Sequence, residues 1–376
     1  MEKKACYNPL MPRFLSLVER FDWTLLAAAL ALTSVGLVAM YGIGVSQNPP
    51  DFFSFYKQLV GLALGLIAVL VLTVLDYRHL RSFALILYGL GAILLALVLV
   101  LGHTVHSTQG WFRFGTLSFQ PVEIAKFTLV FYLAILYGRR AQSRLSWSLF
   151  GIGFLATSAY AGLVIAQPDL GSAMVLFGCW GFISLFAGLP RRAWIVIPTV
   201  VIIGGVGLWL IGLKPYQRAR IQTFLHPEMD QRGSGYNAIQ ARIAIGSGGV
   251  FGKGLGEGSQ ARLRFLPEAA TDFMFAVIGE ELGFVGVTVV LLLLALVIYR
   301  YLRIADESED DTAALTLVGL GSIIVIHLTV NSGMNLGLLP ITGIPMPFLS
   351  AAASNLVVLY TSVGLAESIA IRRTRT

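Results

Sequence analysis

The chain has 376 residues, 56% of them hydrophobic and only 12% charged, with a formal net charge of +7. Soluble domains run near about 45–50% apolar and about 25% charged, so an ordinary water-soluble globule is excluded, as is a disordered or nucleic-acid-binding tail protein. What remains is a polytopic membrane protein, with apolar residues enough for roughly ten spans of ~20 residues.

Cys6 and Cys179 are the two cysteines, so neither a disulfide framework nor a zinc pattern is expected. The first apolar run, Trp23 to Gly44, is too long for a signal core and lacks a small-residue cleavage site, so no cleavable signal peptide is expected. Residues 1–20 read as a cytoplasmic N-terminal tail. Spans are predicted at 22–45, 58–75, 82–102, 121–138, 147–167, 170–188, 193–213, 272–302, 312–335 and 352–371. The predicted fold is all-α: a single ten-helix transmembrane domain over 21–371, with a short cytoplasmic tail at 372–376.

Orientation follows from the flanking lysines and arginines. One set of alternate segments carries sixteen, from Lys3 and Lys4 to Arg372, Arg373 and Arg375; the short loops of the other side carry Lys57 and Arg113 alone. Both termini are therefore expected in the cytoplasm.

Between the seventh and eighth spans lies a long loop, 214–271, expected on the extracytoplasmic side. It holds eight basic residues (Lys214, Arg218, Arg220, Arg232, Arg242, Lys253, Arg262 and Arg264) against four acids. Long loops are translocated largely regardless of charge, so the orientation stands. Tyr236 to Ile245 is amphipathic at helical spacing and suits an interfacial helix. Seven glycines follow between Gly246 and Gly258. One reading of the loop is arginines meeting anionic headgroups. The sharper reading is an anion site, because guanidinium forks bind phosphate bidentately and glycine lets backbone N–H groups approach it. No Walker or dinucleotide pattern is present, so such a phosphate would arrive as a lipid phosphate or pyrophosphate.

Ionisable residues within spans are costly and therefore informative. Glu123 and Lys126, three apart, share a helix face and can neutralise each other; a structural ion pair and a functional one are both open. Asp169 and Asp272 precede apolar helices, where an N-cap is the plain reading. Asp272 also ends the basic loop, which puts a proton acceptor beside cations able to stabilise a departing pyrophosphate. Glu280 and Glu281 lie two turns further on, as partners for basic groups or for Lys126. His327 reads as a hydrogen-bonded packing residue. Trp111, Phe112, Phe114 and Phe119 suit an interfacial aromatic belt.

Four stretches carry a family resemblance: Gly110-Trp111-Phe112-Arg113 through Phe119-Gln120-Pro121-Val122-Glu123-Ile124-Ala125-Lys126; Gln167-Pro168-Asp169-Leu170-Gly171; Leu266-Pro267-Glu268 to Phe275-Ala276 with Gly279-Glu280-Glu281-Leu282-Gly283; and Gly333-Met334 to Phe348-Leu349-Ser350. The chain resembles the shape, elongation, division and sporulation (SEDS) family, its rod-shape branch more than its division branch, over residues ~20 to 371. The resemblance implies a peptidoglycan polymerase of the bacterial cytoplasmic membrane, joining lipid II disaccharides on the extracytoplasmic side during cell elongation, in complex with a class B penicillin-binding protein.

It implies further that Asp272 is the general base of an inverting displacement of undecaprenyl pyrophosphate. Lys126, Glu123, Asp169, Arg113, Arg218, Arg220, Arg242, Trp111 and Glu280 would contact or position the substrate. A divalent cation (magnesium or manganese) at the pyrophosphate, held by Asp169 or Asp272, is expected by analogy. Val122 stands where the family usually has serine. Ser350-Ala351-Ala352-Ala353-Ser354 stands for Ser-Tyr-Gly-Gly-Ser, a change that removes φ > 0 freedom. The competing function is a lipid II flippase or other transporter, which would place polar groups near the bilayer midplane, often on broken helices.

Overall fold

The computed structural model describes residues 20–373, apart from 48, 106–107, 116, 139–143, 208–217, 219–221, 231–232 and 264. Each predicted span falls on a helix over its described residues, with 208–213 of the seventh lying outside them: α1 (Trp23–Ser46), α2 (Phe53–Val74), α4 (Ala84–Leu101), α5 (Pro121–Gly138), α6 (Trp147–Ala166), α7 (Leu170–Phe186), α8 (Ala193–Gly207), α11 (Met274–Asp306), α12 (Asp311–Asn335) and α13 (Ala353–Arg372). Eight of these are long and apolar enough to cross a membrane, and α7 is a shorter apolar helix. A six-residue α3 (Tyr77–Ser82) links α2 to α4, and α9 (Ser234–Ser247) and α10 (Ser259–Arg262) lie in the long loop.

Helix starts follow local chemistry. Asp22, Asp76, Ser146, Asp169 and Asp310 are N-caps whose side chains accept backbone N–H groups of the first turn. The inner helices are α13, α5 and α12, with 83, 72 and 67% of their apolar windows buried, against 22% for α2 and α4. The outer helices expose large apolar side chains such as Leu70, Leu85 and Val100 in bands that water would not support, as lipid contact requires. Close packing is set by small residues. Gly61 and Gly65, one turn apart on α2, meet Ala353 and Tyr360 of α13, where a β-carbon would come within 2.8–3.0 Å.

At one end of the bundle the arginines of the basic-flank set are paired. Arg300 binds Asp22, whose backbone N–H donates to Glu367; Arg373 binds Glu307; Arg81 meets Asp310. This joins the ends of α1, α11, α12 and α13.

Two features depart from the expected span-and-loop plan. The segment read as an aromatic belt is a three-stranded antiparallel sheet, β1 (His103–Val105), β2 (Thr108–Phe114) and β3 (Leu117–Phe119). Arg113 pairs across it with Ser118, whose hydroxyl accepts from Lys57 of α2 at 2.7 Å.

The second is a break in α11. Gly283 takes φ 65°, ψ −161°, a conformation open essentially to glycine alone. The break frees backbone groups on both sides, and the glycine-rich loop takes them up. Lys253 and Gly254 donate to the carbonyls of Glu280 and Glu281; Phe284 and Val285 donate to those of Gly249 and Val250. The approach is so close that a β-carbon on Gly283 would lie 2.3 Å from the Gly252 nitrogen. Between Gly248 and Gly254, then, the glycines serve a backbone-to-backbone joint with α11.

Candidate active site

Asp272 sits two residues before the first turn of α11 and is half-buried. The N-cap of that helix is Phe273, whose side chain makes no capping bond, so the plain capping reading moves one residue away from Asp272. Its backbone is fixed from α12: Asn331 donates to the Asp272 carbonyl at 2.9 Å and Asn335 at 3.1 Å. Its carboxylate lies against Gly343, 3.4 Å from where a β-carbon would stand. Gly343 has φ 76°, so this turn also favours glycine on conformational grounds.

The segment 337–352 gathers the site. Thr342 lies against Gly171, next to the start of α7. Asn331 donates to the Ile344 carbonyl, Ser350 donates to the Thr271 carbonyl, and Ala351 donates to the Ala270 carbonyl. These bonds tie the segment to the strand of chain that carries Asp272. None of Ala351, Ala352 and Ala353 has positive φ. The alanines in place of the family's glycines therefore cost this turn no strain, and Ala353 fills space against Gly61.

Asp169 caps α7 as the plain reading expects: one carboxylate oxygen accepts from the Ser172 N–H at 2.9 Å, the other from its hydroxyl at 2.7 Å. Trp111, half-buried on β2, follows Gly110, which faces the Gln167 side chain of the turn before Asp169. Arg242 on α9 passes over Gly337, whose missing β-carbon leaves room for the guanidinium stem at 3.1 Å. It lines a cavity of about 250 Å³ with Phe224, Glu228, Leu339, Pro340 and Ile341. Its own backbone N–H, then His226 and Arg242, hold the Glu228 carboxyl below the usual carboxylate range. Among the described residues the cavity lining therefore carries one cation, Arg242, and one anion, Glu228.

Lys126 is placed differently from the expectation that it reaches the pyrophosphate. Its ammonium is 2% exposed, donates to Glu123 at 2.8 Å and faces His327 Nε2 at 3.0 Å. Asn355 donates to the second Glu123 oxygen at 2.7 Å. Every group of this cluster lies inside the bundle, beside a void of only about 10 Å³. The tautomer that lets Nε2 accept puts hydrogen on Nδ1, which has no hydrogen-bond partner among the described residues.

Glu280 does not meet Lys126 either. Lys253 (2.8 Å), Ser259 (3.0 Å) and the Gln260 N–H occupy its carboxylate, which clamps the glycine-rich loop to α11. α9 turns its apolar side inward, with Ala241 and Ala244 fully buried and Ile245 against Gly279, so protein receives much of the face expected in the interface plane. Arg113 is exposed and Arg218 half-buried, while Arg220 lies outside the described residues.

For a divalent cation the donor set is thin. Among the described residues no three His, Cys, Asp or Glu side chains come together, and both Asp169 oxygens are already engaged. The described side chains do not build a cation cage.

The residues that sequence reasoning missed are Asn331, Asn335 and Asn355. Buried amides on otherwise apolar helices are the signal that marks them.

A family model for cell cycle proteins of the FtsW, RodA and SpoVE type matches residues 22–375. A probable peptidoglycan glycosyltransferase FtsW from Trichlorobacter lovleyi is 36% identical over 94% of this chain and 93% of its own length. Peptidoglycan glycosyltransferase MrdB from Escherichia coli is 35% identical, covering 94% of each chain. Stage V sporulation protein E from Bacillus subtilis is 34% identical over 92% of this chain and 95% of its own. These three relatives are thus matched at nearly equal identity. Among solved structures, a chain from a peptidoglycan synthase complex that coordinates polymerization and crosslinking superposes with a TM-score of 0.80 at 31% identity, covering 95% of this chain and 99% of the other. Rod shape determining protein RodA from Thermus thermophilus gives 0.70 at 29%, covering 95% and 98%. The shared span, the helix order and the motif residues gathered around Asp272 lead to one conclusion: this multi-pass membrane protein belongs to the FtsW, RodA and SpoVE family of cell cycle proteins.

Proposed function

We propose that the chain is a peptidoglycan glycosyltransferase that joins lipid II disaccharides into glycan strands during cell elongation. Its site faces the extracytoplasmic side of the bacterial cytoplasmic membrane, with both termini in the cytoplasm. Asp272 accepts the proton of the acceptor sugar 4-hydroxyl. The oxygen attacks the donor's anomeric carbon, the new β-1,4 bond forms, and the bond to undecaprenyl pyrophosphate breaks with its electrons leaving on the pyrophosphate. One inversion from an α-linked donor needs a base and no enzyme nucleophile. Arg242 is the described loop cation best placed to receive the diphosphate, with Arg218 and Arg220 as further candidates. Asp169 and Trp111 shape the wall opposite. The Glu123–Lys126 pair positions the helices beneath it. Any divalent cation would take most of its ligands from the diphosphate itself.

The observation that carries this reading is the placement of Asp272: a half-buried carboxylate at the head of α11, its backbone bolted to α12, on the same side of the bundle as the Arg242 cavity. A class B penicillin-binding protein is the proposed partner, supported by the likeness to the synthase complex. A transport reading would draw on the break at Gly283. Its freed backbone groups are already bonded to the glycine-rich loop, which makes the break a sealed joint and favours chemistry on one face.

The test is polymer formation from lipid II by the purified chain, alone and with its transpeptidase. Asp272→Asn is expected to keep the fold and abolish product; normal polymer rate and length in that variant rejects the base. Arg242→Ala is expected to raise the lipid II concentration needed for half-maximal rate.

A further inference from the structure

One face of α12 carries His327, Asn331 and Asn335, four residues apart and all fully buried. Such residues stack one turn above another. The lowest, His327, meets Lys126 of the buried pair. The middle one uses its side-chain amide on two carbonyls, Asp272 at 2.9 Å and Ile344 at 2.8 Å. The top one donates to Asp272 at 3.1 Å and to the Asn331 carbonyl at 2.8 Å. Amide orientation in both is set by these carbonyls, since a reversed amide would face oxygen with oxygen.

The Asp272 carbonyl lies before the first intrahelical bond of α11, in which Val277 donates to Phe273. Asn331 and Asn335 supply it with two donors from a different helix. Asn331 also holds Ile344, next to Gly343, the residue against which the Asp272 carboxylate rests. One amide therefore fixes the backbone from which the carboxylate departs and the wall that limits where it points.

We propose that Asn331, supported by Asn335, is a positioning residue for Asp272: it acts through the Asp272 carbonyl to set the direction of the carboxylate toward the acceptor hydroxyl. This rests on the assignment of Asp272 as base. Misplacement of a reacting group by about 1 Å costs on the order of 100-fold in rate, whereas the diphosphate contacts, made from α9, are left in place.

The experiment uses full-length protein in detergent with lipid II as substrate and compares Asn331→Leu, Asp272→Asn and the double variant. Asn331→Leu is expected to lower kcat by about tenfold to 100-fold with KM for lipid II changed less than about threefold, and the double variant is expected to be as inactive as Asp272→Asn alone. A kcat within about twofold of the parent, or a loss that appears in KM alone, overturns the proposal. Full activity of Asp272→Asn overturns the base assignment itself, a distinct result. Should Asn331→Leu fail to purify as a folded monodisperse protein, Asn335→Leu takes its place. It removes one donor from Asp272 and keeps the Ile344 bond, and the same split between kcat and KM decides.

Discussion

The joint between the glycine-rich loop and the broken helix makes a strong demand on one residue. Gly283→Ala places a β-carbon 2.3 Å from the Gly252 nitrogen and 2.7 Å from the Val250 carbonyl oxygen. Both are backbone atoms, so no side chain can swing away. The φ of 65° adds strain of about 1–3 kcal/mol for a residue with a β-carbon. Relief requires the loop to withdraw, and four bonds go with it: Lys253 to Glu280, Gly254 to Glu281, Phe284 to Gly249 and Val285 to Val250. At about 1 kcal/mol each, their loss adds about 4 kcal/mol. The substitution is therefore expected to cost on the order of 5 kcal/mol of local stability. The assay is limited proteolysis in detergent, read as the rate of cleavage after Lys253 and Arg262, together with thermal unfolding. Gly246→Ala on α9 is the control, because nothing lies within 4 Å of its β-carbon position; it is expected to be neutral or slightly stabilising. Gly283→Ala with parental cleavage rate and melting temperature would refute the account of the joint.

Lys126→Met leaves the Glu123 carboxylate buried with Asn355 as its remaining described donor, and is expected to cost about 3–5 kcal/mol in thermal unfolding; the Glu123→Gln, Lys126→Met pair should recover most of that loss. Lys253→Met removes the cation from Glu280 and should speed cleavage of the loop, with Glu280→Gln restoring resistance in the same background. Ala352→Gly returns a family glycine to a residue at φ −130°, and is expected to lower stability by about 0.4–1 kcal/mol through the unfolded chain, measured by denaturation in detergent.

The helices were legible because bilayer thickness imposes one strong signal, a run of some twenty apolar residues; each predicted run carries a helix over its described residues, and eight of these helices are long and apolar enough to cross a membrane. Asp169 was legible for a local reason: a carboxylate ahead of an apolar helix caps it, and Ser172 completes the bond. The glycine-rich loop was misread in purpose, since glycine marks close backbone approach but not what approaches; a phosphate and another main chain leave the same trace. A clue lay in the eighth span, expected to run 31 residues from 272 to 302, well beyond the length one crossing needs. Lys126 was open to two readings because a charge inside a helix marks a pairing without naming the partner; His327 and Asn355 reach it from 201 and 232 residues away, measured from Lys126 and Glu123 respectively. The sheet of β1 to β3 has strands of three to seven residues, too short for a periodic pattern to stand out among aromatics.

The interruption at Gly283 also divides the hydrophobic thickness problem. From Phe284 to Asp306 the helix rises about 34 Å, sufficient by itself to cross a hydrocarbon layer of about 30 Å. The nine residues from Met274 to Leu282 are thereby released from any obligation to be lipid-compatible, and that is where two adjacent glutamates, Glu280 and Glu281, are found. Both are buried in protein, so their tolerance is governed by neighbouring donors, such as Lys253 and Ser259 at Glu280, and not by the cost of burying charge in oil.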